Sequence, residues 1–129
     1  MNLVLWIVQI LLAAAFGMAG FTKLTQPLDA MAAMMPWVTA TPELLVRFIG
    51  LAEVAGALGL ILPGLTKIQP RLTAYAALGL VLVMLLAGAF HASRGEFGNI
   101  PVNLVLLVLS AFVAYGRWSS ALRPAKATA

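Results

Sequence analysis

The sequence predicts an all-α fold, an integral membrane bundle of four transmembrane helices. Of the 129 residues, 63% are hydrophobic and only 9% are charged, whereas a soluble domain is nearer half apolar and a quarter charged. The apolar residues fall into four stretches of about 16–20 residues, the length that a hydrocarbon core requires. Because these stretches do not alternate apolar and polar residues, we expect helices rather than the strands of a barrel.

The first two spans are placed by length and by helix-breaking residues. Span one covers residues 3–22. It is expected to be retained as a helix, because no Lys or Arg precedes it and it exceeds the apolar region of a signal peptide. Span two covers residues 43–62, begins after Pro42, and is predicted to stop at the breaker pair Pro63–Gly64.

The last two spans complete a single membrane domain over residues 1–118. Span three covers residues 71–91 after Pro70, and span four covers residues 100–118. Short connections between spans two, three and four predict that consecutive helices are antiparallel neighbours. Residues 119–129 are predicted to form a polar, disordered tail.

The first connection, residues 23–42, is longer than the others. Pro27 is expected to open a short helix in it and Pro36 to end that helix. One face would then carry Leu28, Met31, Met34 and Met35. Two interpretations remain open: a helix lying across one mouth of the bundle, or a membrane-surface anchor with Trp37 in the aromatic belt.

Positive charges predict the orientation in the membrane. The side with both termini and the second connection carries Lys67, Arg71, Arg117, Arg123 and Lys126. The opposite side carries Lys23, Arg47 and Arg94. This imbalance predicts that both termini are cytoplasmic. The net charge of +4 is therefore explained by membrane anchoring, and no nucleic-acid partner is expected.

The residue types exclude several kinds of chemistry. There is no cysteine and only one histidine, so the chain by itself holds no disulfide, iron–sulfur cluster or bis-histidine haem. A single imidazole with scattered carboxylates also lacks the usual ligand set of a metal site. We expect no catalytic residue set and no cofactor within the chain, although a quinone or a lipid remains a candidate ligand.

Glu53 lies near the middle of span two, where a charged side chain costs about 3 kcal/mol. Its helical neighbours include Gly50, Gly56 and Ala57, and such small residues mark a face that packs against other helices. Glu53 should therefore point into the bundle. It is either a ligand or proton site, or a glutamate that bonds across helices to hold their packing.

Other polar residues gather toward the same end as the first connection. Arg47 lies about 120° around the helix from Glu53, so Glu43, four residues before Arg47, is its better partner. All four spans or their ends contribute, which indicates a polar vestibule above Glu53. Its members are Lys23, Arg47, His91, Asn99 and Asn103. Gln9, in span one, is interpreted as structural.

Short motifs occur in order along nearly the whole chain. They are GFTK at 20–23, RFIGLAEVAG at 47–56, LPG at 62–64, FHASRGE at 90–96, Asn103, and YGR at 115–117. Together they resemble the DoxX-like family of small four-helix membrane proteins. The positions that match include Glu53 and four members of the predicted polar vestibule, Lys23, Arg47, His91 and Asn103.

The resemblance implies a four-helix membrane bundle and, by default, a bacterial inner membrane. Some relatives are subunits of thiosulfate:quinone oxidoreductase, some associate with other membrane redox proteins, and distant eukaryotic relatives look like receptor-assembly chaperones. The resemblance implies no catalytic residue set.

Three functions are considered. The first is a non-enzymatic membrane module that binds a quinone, a lipid or a membrane protein partner through the polar site around Glu53. The alternative is an accessory subunit of a quinone-linked membrane oxidoreductase, whose partner would hold the cofactors. The third is a transporter or proton path through Glu53, for which four spans are few unless the chain forms a homo-oligomer.

Overall fold

A computed structural model describes residues 2–67 and 71–122, and only the backbone of residues 119–122. Four of its helices are long and apolar enough to cross a membrane, which confirms the all-α fold class and the four spans. The α-helices are α1 Asn2–Thr25, α2 Leu28–Ala32, α3 Glu43–Thr66, α4 Arg71–Ser93 and α5 Ile100–Leu122. Two short 3₁₀ helices, Pro36–Ala40 and Phe97–Asn99, precede α3 and α5.

The four long helices form a ring in the order α1, α3, α4, α5. The closest packing is between α1 and α3 and between α4 and α5, while α5 also contacts α1 and closes the ring. One end of the bundle holds the last turns of α1 and α4 and the first turns of α3 and α5; we call it the loop-one end. The opposite end, where α3 and α4 are joined, is the loop-two end.

The core of the bundle is apolar and draws on all four long helices. Its buried residues are Leu12, Phe16, Ala57, Leu60, Ala77, Leu80, Met84, Val113 and Ala114. Many large apolar residues point outward instead, among them Leu44 at 84% exposed and Leu86 at 64% exposed. In a soluble protein this surface would drive aggregation, whereas in a bilayer it contacts lipid.

The predicted stop of the second span at Pro63–Gly64 is wrong. Helix α3 passes through both residues and ends at Thr66, and Lys67 follows with a left-handed backbone, φ 58°. A proline inside a membrane helix is tolerated where neighbouring helices surround it, and Pro63 is buried. The second connection therefore begins at Lys67, and its residues 68–70 lie outside the described part of the chain.

The other helix ends differ from the predicted ones by a few residues. α1 continues to Thr25, α4 to Ser93 and α5 to Leu122. The backbone of the first four residues of the predicted tail, 119–129, is therefore helical. The remainder, 123–129, lies outside the described residues.

Loop one contains two short helices rather than one. Pro27 precedes α2 as predicted, but α2 ends at Ala32, and Pro36 begins a 3₁₀ helix instead of ending a helix. Proline suits this first position because its missing N–H has no helical partner there. The predicted face of Leu28, Met31, Met34 and Met35 is only partly correct, since Met31 is buried and Met34 is 81% exposed. Met31 packs with Val38 and with Val46 of α3.

Candidate functional site

The seam between α1 and α3 is set by two glycines whose backbones touch. A Cβ atom on Gly20 would lie 2.6 Å from the carbonyl oxygen of Gly50, and a Cβ on Gly50 would lie 2.8 Å from the carbonyl oxygen of Gly20. No other residue type fits at this separation. Small residues allow such close approach of helices in a membrane, and side chains one turn away are thereby brought within reach of each other.

Lys23 and Glu53 each follow one of these glycines by three residues, and they form an ion pair across the seam. The Lys23 Nζ atom lies 2.6 Å from Glu53 Oε1, and the two side chains are 9% and 4% exposed. Glu53 therefore points into the bundle, as its small neighbours indicated. Its partner is the lysine that would otherwise have extended to the membrane surface.

Arg47 fastens the end of α1 to the start of α3. Its Nη1 group donates to the carbonyl oxygens of Lys23 and Gln26, both at 2.7 Å. The Lys23 carbonyl needs this donor, because residue 27 is a proline without an N–H. The expected pair with Glu43 is present at 3.3 Å. Arg47 thus supports the seam through the backbone, without contacting Glu53.

Trp37, in the 3₁₀ helix of loop one, connects the seam with the end of α4. Its ring centroid lies 6.0 Å from Lys23 Nζ, 6.0 Å from the Phe90 ring and 6.1 Å from the His91 ring, with edge-to-face geometry in both ring pairs. These contacts agree with the interpretation in which loop one lies across the mouth of the bundle. A membrane-surface anchor would leave Trp37 in contact with lipid instead.

A small polar network closes the turn between α4 and α5. Glu96 Oε1 accepts from Arg94 Nε at 2.9 Å and lies 3.2 Å from His91 Nδ1. Partial burial would raise the pKa of the Glu96 carboxyl, but hydrogen bonds from Arg94 and His91 and their charges outweigh it. They hold the pKa below its usual value of 4.5. Glu96 is therefore an anion at neutral pH.

Asn103 lies away from this cluster, in a groove between α4 and α5. Its Nδ2 group donates to the Met84 carbonyl at 3.1 Å and lies 3.3 Å from the Met84 sulfur. Its Oδ1 atom sits over Gly88, where a Cβ would approach it to 2.6 Å. The groove has a volume of about 360 Å³ and is otherwise apolar, lined by Leu85, Ala89, Ala92, Ile100, Leu104 and Leu107.

The polar residues expected in one vestibule therefore form two groups. Lys23, Arg47 and Glu53 share the α1–α3 seam, and His91 joins them through Trp37. Asn103 belongs to the α4–α5 groove, and Asn99 is exposed. Within residues 2–67 and 71–122, no group of three or more His, Cys, Asp or Glu side chains could hold a metal ion.

Two residues, Trp37 and Arg117, have roles that the sequence did not indicate, whereas Gln9 bonds across helices to the Leu60 carbonyl, in agreement with its structural interpretation. Trp37 was given only an anchoring role, although its aromatic ring within a Met-rich loop could have suggested a packing role. Gln9 was interpreted as structural and Arg117 as a surface charge. The structure joins the two by a hydrogen bond at the loop-two end, a pairing that no sequence signal indicated.

These helices and their polar seam define a small four-helix membrane protein with a candidate binding groove. A family model for the DoxX-like family matches residues 7–113. The chain therefore belongs to the DoxX-like family, as the motifs suggested. Comparison with curated proteins and with solved structures found no match.

Proposed function

We propose that the protein is a non-enzymatic membrane module that binds a lipophilic or amphipathic molecule, a quinone or a lipid. The observation that carries this proposal is the groove between α4 and α5, with apolar walls and one amide. Binding sites for small molecules combine mostly apolar walls with a few placed polar groups. A groove at bilayer depth is reached directly by molecules dissolved in the lipid.

The Asn103 amide suits either ligand class. Nδ2 donates to the Met84 carbonyl at 3.1 Å and to the Met84 sulfur at 3.3 Å. A quinone or ester carbonyl is a stronger acceptor than a thioether sulfur and would take the place of that sulfur. Oδ1 accepts no hydrogen bond from any described residue, so it is free to accept from a quinol or headgroup hydroxyl. Ala92 and Ile100, at the end of the groove, adjoin the turn with Arg94 and Glu96, where a polar headgroup would lie.

The Lys23–Glu53 pair has a supporting role in this proposal. Each member already has a charged partner, so a ligand at Glu53 would have to displace Lys23. Ligand binding in the groove requires no such displacement. Lys23, Glu53 and Arg47 are therefore positioning residues that hold α1 against α3, and His91 with Trp37 ties that seam to α4, one wall of the groove.

A matched pair of variants tests this function. Ala89→Phe places a large ring in the groove, whereas Ala15→Phe places the same ring on the exposed face of α1. We expect lipid extracts of the wild type and of Ala15→Phe, both purified in mild detergent, to contain the same lipophilic molecule by mass spectrometry. Ala89→Phe should lose it at least tenfold, and Asn103→Ala should weaken binding of added decylubiquinone roughly tenfold.

The proposal is wrong if Ala89→Phe retains the molecule at the wild-type level, or if Ala15→Phe loses it equally. If Ala89→Phe instead releases a stoichiometric membrane protein, the groove binds a helix of that partner. The accessory-subunit function would then replace the ligand-binding one.

A further inference from the structure

The loop-two end contains a second polar cluster, centred on Arg117 of α5. Its Nε atom donates to Gln9 Oε1, its Nη1 atom donates to Asn2 Oδ1 at 2.7 Å, and its Cζ atom lies 5.6 Å from the centre of the Trp6 ring. Its Nη2 atom is buried and has no hydrogen-bond partner among the described residues. The guanidinium is thus held in one orientation with one nitrogen unsatisfied, which is rare for a buried polar group.

The partners of Arg117 are themselves fixed in place. Gln9 is 1% exposed, and its Nε2 atom donates to the Leu60 carbonyl at 2.6 Å, which turns Oε1 toward Arg117. The Trp6 ring fits because Gly64 has no side chain; a Cβ there would lie 2.5 Å from the ring. The cluster is therefore a built site rather than a flexible surface arginine.

A cavity of about 200 Å³ adjoins this cluster. It is lined by Trp6, Gln9, Gly64, Lys67, Thr73 and Arg117. Two cationic side chains, Lys67 and Arg117, line the cavity, and none of its lining residues is an Asp or a Glu. The four acidic residues of the chain are Asp29, Glu43, Glu53 and Glu96, and the structure places each in loop one, in the seam, or at the α4–α5 turn of the loop-one end.

We propose that this cavity binds a phosphate-bearing anion, either the headgroup phosphate of a lipid or free phosphate. Arg117 is half-buried, and its buried Nη2 atom has no acceptor among the described residues. Leaving a charged group unsatisfied in this way is costly, and an anion in the cavity would remove that cost. Arg117 would donate through Nη2, and Lys67 would add a second positive charge. Arginine and lysine are the usual binders of phosphate oxygens. Since one water occupies roughly 30 Å³, the cavity has room for a phosphate group.

The position of the cavity within the membrane suits a lipid headgroup. Basic pockets between transmembrane helices on the cytoplasmic side bind anionic lipid headgroups. The loop-two end is the side that the charge count predicts to be cytoplasmic. This site is separate from the α4–α5 groove, and its test does not depend on the proposed function.

The test follows thermal unfolding of the full chain in lipid-free detergent. Three probes are added separately: dioctanoyl phosphatidylglycerol, inorganic phosphate, and dioctanoylglycerol as a neutral lipid without phosphate. Lys67→Asn removes a lining charge and keeps a residue that tolerates the left-handed backbone. Arg117→Gln removes the central donor. Arg71→Gln is the control, since Arg71 is exposed at the same end but does not line the cavity.

We expect phosphatidylglycerol to raise the Tm of the wild type and dioctanoylglycerol not to do so. Lys67→Asn should weaken the apparent affinity about fivefold, Arg117→Gln more than tenfold, and Arg71→Gln by less than twofold. Saturation at lower concentrations of phosphatidylglycerol than of phosphate identifies the lipid headgroup as the ligand. Stabilisation by phosphate alone identifies free phosphate.

The proposal is overturned if dioctanoylglycerol stabilises as much as phosphatidylglycerol, or if no probe stabilises the wild type. Equal losses in Lys67→Asn and Arg71→Gln would also overturn it, because they would show attraction to general surface charge. If Arg117→Gln does not fold, the comparison of Lys67→Asn with Arg71→Gln decides alone.

Discussion

The two ends of the bundle differ in how their cationic side chains are neutralised. At the loop-one end, the Lys23 ammonium is paired with the Glu53 carboxylate at 2.6 Å. At the loop-two end, the Arg117 guanidinium donates hydrogen bonds to the neutral side chains of Gln9 and Asn2. One of its nitrogens has no partner at all among the described residues.

This difference indicates what each end can do. A neutralised pair in a low-dielectric interior fastens two helices and leaves no demand for a further ion. A half-buried guanidinium with one buried nitrogen left without a partner among the described residues instead favours the binding of an anion. The loop-one end therefore offers a ligand mainly the apolar groove beside the seam, whereas the loop-two end offers charge.

The largest expected effect comes from making the loop-one end resemble the loop-two end. Glu53→Gln leaves Lys23 buried without a carboxylate, and we expect the free energy of unfolding to fall by about 3–5 kcal/mol. Unfolding by SDS in mixed micelles measures it. The double variant Lys23→Met/Glu53→Leu should recover most of this loss, because an apolar pair needs no counter-ion. A double variant as unstable as Glu53→Gln would contradict the ion-pair explanation.

A smaller loss of stability should distinguish a glycine that faces the backbone of another helix from a glycine that faces a side chain. A Cβ on Gly20 meets the Gly50 carbonyl, whereas a Cβ on Gly64 meets only the edge of the Trp6 ring. We expect Gly20→Ala to lower the free energy of unfolding by about 2 kcal/mol and Gly64→Ala by about 1 kcal/mol. The same SDS titration applies.

Gly79→Ala is the control for these glycine variants, because a Cβ there meets nothing within 4 Å. It should leave stability unchanged or raise it by about 0.5 kcal/mol, since alanine favours a helix. Equal losses of stability in Gly20→Ala and Gly79→Ala would show that the close approach of α1 and α3 does not depend on glycine at position 20.

The smallest effect is the pH dependence of the α4–α5 turn. The pKa of Glu96 is held below 4.5 in the folded protein by Arg94 and His91. The carboxylate therefore stabilises the fold at pH values above its unfolded pKa, and this contribution disappears as the pH falls through the folded pKa. The wild type should have a slightly higher Tm than Glu96→Gln above the unfolded pKa of about 4.3, and the difference should disappear as the pH falls below the folded pKa. A difference that grows on acidification would reverse the assigned sign.

Hydropathy located the four spans, whereas a helix-breaking motif led to a wrong end for α3. The breaker pair Pro63–Gly64 predicts a stop by rules drawn from water-exposed helices. Inside a bilayer an interrupted helix would leave backbone groups unsatisfied, so the chain stays helical to Thr66. Loop one shows a second limit. Pro27 precedes a helix as predicted, but α2 ends at Ala32, and Pro36 begins a 3₁₀ helix instead of ending one, because proline suits the first position of a helix as well as the position after its end.

The polar site was predicted in part. Burial of Glu53 followed from its depth and its small neighbours, because both are local properties of one helix. Its partner could not be found in this way, because Lys23 lies 30 residues earlier on another helix. Arg117 and Gln9 are 108 residues apart, and neither carries a mark that distinguishes it from an anchoring or packing residue.

The sequence by itself determined the fold class, the number of spans and the residues that must be buried in the membrane, since hydrophobic length and composition are read along one segment. Only the tertiary structure decided that Lys23 neutralises Glu53, that Asn103 faces a separate groove, and that Arg117 turns inward beside Lys67. Those outcomes depend on how far each helix is rotated and how closely the backbones approach. Two glycines on different helices, Gly20 and Gly50, set that distance at the seam.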